Sequence, residues 1–389
     1  MCGLVFLVNL GRIVYAPLLE TFRVEFAATA GEVGLLATLA WIGSASLRFP
    51  TGYLLTKVPR HWVVLSTGLV LAGGSVIAAN ADGLRELYVG ALAMGVASGM
   101  YFVSANPLVS ELFPERVGRA IGVHGMSMQL AAVSAPAFVT VVFAVAAWPV
   151  ADWRVVFLSI AVLSVLATAV FTVMALRHEL PRSGHTDRAL LAALRVHWPL
   201  ILTGVAIVGV TGLVWNGVFN LYVTYLVDTR GLGASTSRNL LTVVFAAGVP
   251  AFVVSGRLAD RLPFVPYLLT IVATFSACLV ALTMVRGLPA IALVSVALGY
   301  VIHSLFPAID TYLLSSFNDA YRGSAYALFS GTMMPIQATG SVILGSMVDA
   351  GLGFDRSIQL LALASLIVGV TIALAYAFGL VPRGQHRVG

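Results

Sequence analysis

Residues 255–263 read SGRLADRLP, a short charged loop between two long apolar runs, and residues 50–60, PTGYLLTKVPR, repeat it in altered form 204 positions earlier. At that offset Gly52 falls on Gly256, Leu54 on Leu258 and Lys57 on Arg261. Gly95 on Gly299, Asn106 on Asp310 and Phe113 on Phe317 keep the same register far beyond the loop. The chain therefore reads as a duplicated half.

Composition sets the class. Of 389 residues 59% are hydrophobic and only 10% charged, with a mean hydropathy of +0.97, which excludes an ordinary soluble domain. A run of about 20 apolar residues crosses a hydrocarbon core of about 30 Å. Such runs, numbered here as helices 1 to 12, cover residues 1–19, 33–55, 62–80, 88–112, 118–146 and 155–176, then 199–226, 239–259, 265–285, 288–313, 323–348 and 357–380. Backbone groups in lipid must be satisfied within the segment, and barrel strands are about half this length, so the runs are helices. The first run lacks a basic leader and a small-residue cleavage site and carries Arg12, so it reads as helix 1 and not as a signal peptide. The fold class is an all-α polytopic membrane protein of 12 transmembrane helices: two six-helix bundles, residues 1–180 and 198–389, joined by a linker at 181–197.

Enzymatic and metal chemistry find no support. Cys2 and Cys278 lie in different halves within apolar runs, so neither a disulfide framework nor a metal cluster is expected. His178-Glu179 begins like a zinc-protease helix, but Arg182 stands where the second histidine belongs. No G-x-x-x-x-G-K-[ST] loop is present to drive pumping with ATP. No cofactor is expected, and the net charge of +6 reads as membrane orientation, not nucleic-acid binding.

Counting Lys and Arg orients the chain. With both termini in the cytoplasm, Lys57, Arg60, Arg116, Arg119, Arg177, Arg182, Arg188, Arg195, Arg257, Arg261, Arg322, Arg383 and Arg387 lie inside. Arg23, Arg85, Arg154, Arg230, Arg238, Arg286 and Arg356 lie outside, an imbalance of 13 to 7 in the expected direction. The linker is then cytoplasmic, and its Asp187 to Arg195 portion is expected to form a short amphipathic helix on the membrane surface.

Twelve helices in two repeated halves, with G-x-L-a-D-R-type loops after helices 2 and 8, resemble the major facilitator superfamily of secondary transporters. Phe113 to Arg119 (FPERVGR) after helix 4, Tyr321 to Ser324 (YRGS) after helix 10, and Trp153-Arg154 before helix 6 add to the likeness, which spans essentially the whole chain. The resemblance implies halves related by a pseudo-two-fold axis around a central cavity, rocking to open it to either side. It further implies a monomer in a prokaryotic plasma membrane that binds a small-molecule substrate, with protons as a candidate coupling ion. In that family the loop aspartate caps the N-terminus of helix 5 and pins the halves together. Asp260 matches that position, the backbone at Gly118 to Ala120 is the expected partner with Arg116 or Arg119 adding charge, and Thr56 replaces the acid in the first copy. Gly52, Lys57, Arg60, Gly256, Arg261 and Arg322 complete the gating loops; the plainer reading makes them loop solubilisers and orientation markers.

Specificity must come from polar groups at membrane depth, where burial needs a reason. The candidates for substrate binding are Arg12, Trp41, Arg48, Asn106, Gln129, Asn216, Asn220 and Asp310. Trp41, Ser44 and Arg48 share a helical face by spacing, as do Asn216 and Asn220. Asn216 is the repeat partner of Arg12. His303, Pro307 and Asp310 share a face of helix 10, and Asp310 is the one carboxylate assigned to membrane depth. Asp310 is open to two readings, proton coupling or an ion pair with an arginine. His303 and His124 are open to proton relay or packing.

Arg48-Phe49-Pro50-Thr51-Gly52 resembles the R-x-P-x-G segment of helix 2 in the nitrate and nitrite porter branch, where the arginine contacts the anion; a snorkelling or gate arginine is the structural alternative. Phe252 stands at the matching place in helix 8, and residues 125–129 (GMSMQ) lack that branch's glycine-asparagine signature. The implied substrate is a small anion or carboxylate. Proton-driven efflux of drugs or metabolites is the alternative, although helix 5 has Pro136 without the G-x-x-x-G-P run of antiporters. If Asp260 pins the gate, an interaction of about 0.3 to 2 kcal/mol, Asp260→Asn shifts the population toward the inward-open state, and cysteines placed on the cytoplasmic side of the cavity label faster.

Overall fold

The computed structural model describes the chain except for Thr56, residues 113–116, 146–151 and 178–189, Asp260, and residues 319–320 and 385–389. The side chains of Phe49, Asn106, Pro107, Ser110, Glu111, residues 117–119, Ile121 and Gly122 also lie outside the described set. Among the described residues there is no strand, and twelve helices are long and apolar enough to cross a membrane. Helices 1 to 6 are Cys2–Glu25, Ala30–Leu54, Arg60–Ala79, Leu84–Ala105, Val123–Ala144 and Asp152–Arg177. Helices 7 to 12 are Leu190–Asn220, Ala234–Ala259, Phe264–Met284, Leu288–Ser316, Arg322–Leu352 and Phe354–Ala377. Helix 4 continues to Leu112, and helix 5 already begins at Val117.

Local chemistry explains where these helices start and bend. Helix 2 opens on a capping box: Glu32 N–H donates to Thr29 Oγ1 at 3.2 Å, and Thr29 N–H donates to Glu32 Oε2 at 2.9 Å. Helices 1 and 2 are each broken once, after Ile13 and after Ser46. Each break lies four residues before a proline, Pro17 and Pro50, whose missing N–H cannot reach that carbonyl. Helix 7 is extended by Tyr222–Arg230, and Gly231, at φ 65°, ends this extension in the left-handed conformation that glycine adopts most readily.

Two expectations change at helix ends. Helix 1 runs to Glu25 and not to residue 19, because Arg23 and Glu20 neutralise each other at 2.9 Å and Trp153 Nε1 donates to Glu25 Oε2 at 2.6 Å. Glu20 is thus a buried carboxylate within helix 1, in addition to the Asp310 that the sequence reading assigned to membrane depth. Helix 7 begins at Leu190, so residues 190–197 of the expected linker, including most of the surface-helix stretch, are its first turns. His197 draws that start inward: its ring packs 5.2 Å from Phe317, and its Nε2 accepts from Asn318 N–H at 3.3 Å. Residues 181–189 lie outside the described residues.

The chain divides into two compact units, Met1–Thr186 and Asp187–Gly389. Within the first, helix 4 packs on helices 2 and 3, helix 3 on helix 6, and helix 1 on helix 5. Within the second, helix 10 packs on helices 8 and 9, helix 9 on helix 12, and helix 7 on helix 11. These are the same four pairings at repeat positions, and the closest approaches repeat as well. A Cβ on Gly95 would collide with the Ala40 carbonyl, and one on Gly299 with the Val244 carbonyl; both residues of each pair are related by the 204-residue offset. Close helix approach through glycine is the main device for packing helices in lipid, where apolar side chains gain nothing by leaving the solvent.

Alanine at either glycine must therefore push two helices apart. Gly95→Ala and Gly299→Ala are each expected to destabilise by about 1 to 3 kcal/mol. Gly73, whose Cβ position is empty, is the control: Gly73→Ala is neutral or stabilising by about 0.5 to 1 kcal/mol. Thermal midpoints of the three purified variants check the difference.

Candidate functional site

Helix 1 of the first unit holds a closely confined charged group, Arg12. Arg12 is only 8% exposed, with its guanidinium 4.2 Å from the Trp41 ring and 5.8 Å from Phe102. Its Nη2 donates to Asn9 Oδ1 at 2.7 Å, while Nε is buried and has no hydrogen-bond partner. Among the described residues Arg12 forms no salt bridge. Cation–π contact of this kind is worth about 0.5 to 2 kcal/mol, less than the several kcal/mol that desolvating a cation costs. The site is therefore left with surplus positive charge and an unused donor.

The spacing argument for helix 2 holds only in part. Trp41 faces Arg12 and Arg48 lies half-buried, but Ser44 is fully buried against helix 4, its Oγ donating to Ser98 Oγ at 3.4 Å. The proline break after Ser46 ends the regular spacing that would place Arg48 below Ser44. Gln129 is half-buried on helix 5, one residue beyond Met128, whose carbonyl accepts from Asn9 Nδ2 at 2.7 Å. Asn9 was not among the sequence candidates, and its signal was the i, i+3 spacing to Arg12. The Asn106 side chain lies outside the described residues.

In the second unit the repeat positions carry different chemistry. Asn216 and Asn220 do share a face, and it is turned to helix 11: Asn220 Nδ2 donates to the Asn216 carbonyl and to Ser341 Oγ, both at 2.9 Å. Gln337, missed by sequence, donates from Nε2 to the Val208 carbonyl at 3.0 Å. Asn216 Oδ1 is buried without a hydrogen-bond partner. Positions 12 and 216 thus carry an unused donor in one unit and an unused acceptor in the other.

His303 sits in an aromatic box of Trp215, Phe245, Phe252 and Phe306, with ring centroids 5.6 to 6.4 Å away. Its Nδ1–H donates to the Gly299 carbonyl at 2.7 Å. His124 pairs with the Tyr101 hydroxyl at 3.0 Å. Asp310 Oδ1 accepts from the Tyr326 hydroxyl at 2.8 Å. Asp310 also lines a cavity of about 650 Å³ together with Phe252, Pro307, Thr311, Leu314, Ser315 and Arg322.

This arrangement of duplicated six-helix units matches known transporters in sequence and in fold. The family description Major Facilitator Superfamily matches residues 1–341. The chain belongs to the Major Facilitator Superfamily. It is a multi-pass membrane transporter and not an enzyme. The MFS-type transporter YwfA of Bacillus subtilis is 23% identical over 379 residues, covering 95% of this chain and 89% of that one. Probable nitrate transporters NarT of Staphylococcus carnosus and Staphylococcus aureus are 24% and 29% identical over 121 and 122 residues, 31% of either chain. A D-xylose-proton symporter shares the fold with a TM-score of 0.79 at 15% identity, over 99% of this chain and 97% of that one. A bacterial homologue of the human lysosomal transporter Spinster, inward-facing and occupied, gives a TM-score of 0.78 at 15% identity, over 97% and 95%.

Of this MFS transporter's loop residues, Gly52 is buried, Arg60 and Gly256 are half-buried, and Lys57 and Arg261 are exposed, Lys57 Nζ lying 4.7 Å over the Tyr53 ring. Asp260, Arg116 and the Arg119 side chain lie outside the described residues. The His303 environment makes a testable distinction. His303→Phe is expected to keep both stability and transport, whereas His303→Ala empties the box and costs about 2 to 4 kcal/mol. Transport assays on both variants check this: a relay histidine loses coupling in either one.

Proposed function

We propose that this MFS transporter carries a small anion or carboxylate by rocker-switch alternating access, coupled to protons through Asp310. In this reading it acts as a monomer in a prokaryotic plasma membrane with both termini cytoplasmic. The observation that carries the anion assignment is Arg12, a desolvated guanidinium with no carboxylate partner among the described residues and a buried, unused Nε. An anionic ligand supplies the missing counter-charge and satisfies the donor together. Arginine's planar fork suits carboxylates and similar oxyanions. The partial likeness to probable nitrate transporters supports the same substrate class.

Asp310 supports the coupling half of the proposal. It is a half-buried carboxylate on a cavity wall, held by one neutral hydroxyl donor, so it can take up a proton without breaking an ion pair to that donor. Protonation removes a negative charge from the transporter, which favours anion binding, and by linkage the anion then favours proton uptake to the same extent. Anion affinity rises as pH falls through the titration of Asp310.

Thermal stabilisation of the purified protein by acetate, nitrate, sulfate, sugars and lipophilic cations tests both halves. A ligand at 100 times its dissociation constant adds about 2.7 kcal/mol of apparent stability. Anions are expected to raise the midpoint, more strongly at lower pH, and Asp310→Asn to bind them with no pH dependence. Preference for lipophilic cations over every anion replaces this reading with proton-coupled efflux.

A further inference from the structure

We infer that Asn9 is the positioning residue of the anion site, fixing the guanidinium of Arg12 so that the site prefers planar oxyanions over spherical ions. The inference rests on the anion reading of Arg12. Asn9 is 2% exposed and spends its two amide ends on two different helices. Its Oδ1 accepts from Arg12 Nη2 at 2.7 Å, and its Nδ2 donates to the Met128 carbonyl on helix 5 at 2.7 Å. The amide cannot flip, because flipping turns an NH₂ toward a guanidinium and a carbonyl toward a carbonyl. With Trp41 packed against the group at 4.2 Å and Nη2 tied at the edge, the guanidinium and its unused Nε–H have one fixed plane.

A fixed plane matters to the two kinds of ligand differently. A carboxylate or nitrate places its oxygens in the guanidinium plane and gains directional, charge-assisted bonds there. Chloride presents the same charge from every direction and gains little from a set orientation. Asn9 therefore contributes to selectivity more than to charge. The repeat position in the second unit is Leu213, beside Asn216 in place of an arginine, so the amide occurs in the unit that has a guanidinium to hold.

The test uses the full-length protein and titrations with potassium acetate, nitrate and chloride, read by calorimetry, beside the ligand-free melting midpoint. In Asn9→Ala, oxyanion affinity is expected to fall about tenfold or more while chloride affinity stays within about threefold, which collapses the oxyanion-to-chloride ratio. In Asn9→Asp, a variant of nearly equal shape, the new carboxylate takes the ligand's place on Arg12, and binding of all three anions is lost. If Arg12→Gln abolishes binding but Asn9→Ala and Asn9→Asp keep the wild-type affinities and ratio, the positioning role is wrong and the Arg12 site stands. If Arg12→Gln binds like the wild type, or the wild type binds none of the three, the anion reading itself fails. Should Asn9→Ala not fold, Asn9→Ser, which keeps the charge but cannot span Arg12 and Met128 together, is read in its place: a collapsed oxyanion-to-chloride ratio supports the inference and a wild-type ratio overturns it.

Discussion

Glycines laid against backbone carbonyls, at matching places in the two units, set the helix spacing on which the rest of each unit depends. Apolar surfaces gain little by meeting each other in lipid, so helices hold together where backbones come close enough for dispersion and weak C–H···O contact. Gly95 on the Ala40 carbonyl and Gly299 on the Val244 carbonyl provide that approach for helices 2 and 4 and for helices 8 and 10. One turn away the repeat exchanges sizes. Ser44 meets Gly99 in the first unit, and Gly248 meets His303 in the second, so the small residue has changed sides while the gap stays filled. Size compensation across a fixed gap is what a packed interior requires.

The same frame carries opposite chemistry in its two copies. Repeat positions 41 and 245 are Trp41 and Phe245, and positions 102 and 306 are both phenylalanine, so an aromatic wall is common to both units. Around it the first unit sets Arg12 and Arg48, and the second sets Asn216 and Phe252, the latter stacked on Phe306 with centroids 6.4 Å apart. Aromatic faces serve either purpose, since the ring quadrupole attracts a cation as readily as a ring edge. At these positions duplication thus left charged groups in the first unit and a neutral amide and an aromatic ring in the second.

The architecture was legible because the bilayer fixes helix length and the repeat offset fixes register; neither depends on side-chain detail. Helix ends were harder. Glu20, Arg23 and Glu25 look like a polar loop after residue 19, and only their pairing with each other and with Trp153 makes them helix. Arg12 was recognisable because a charge in an apolar run needs a reason, whereas Asn9, Gln337 and Ser341 are neutral and short enough to pass for packing. Their partners, Met128, Val208 and the Asn216 carbonyl, are 119 to 129 positions away, and a single sequence carries no sign of such pairs. Ser44 misled because the spacing rule assumes an unbroken helix, and Pro50 breaks this one.

Two of the arginines that run against the orientation count, Arg154 and Arg230, find their explanation at helix ends. The last carbonyls of a helix lack N–H partners and form the negative end of its dipole, so a cation placed there is doubly favoured. Arg154 Nη1 donates to the Ala79 carbonyl at 2.8 Å, at the end of helix 3. Arg230 Nη2 donates to the Thr283 carbonyl at 2.7 Å and to Leu282 at 3.1 Å, at the end of helix 9. Ala79 and Thr283 are repeat positions, yet Arg154 comes from the start of helix 6 and Arg230 from the extension of helix 7. Two unrelated side chains have been recruited to one electrostatic need, and Asp355 strengthens the second by pairing with Arg230 at 2.8 Å. A charge that caps a helix and ties it to a neighbour is retained on that ground, whatever its effect on the inside-to-outside balance.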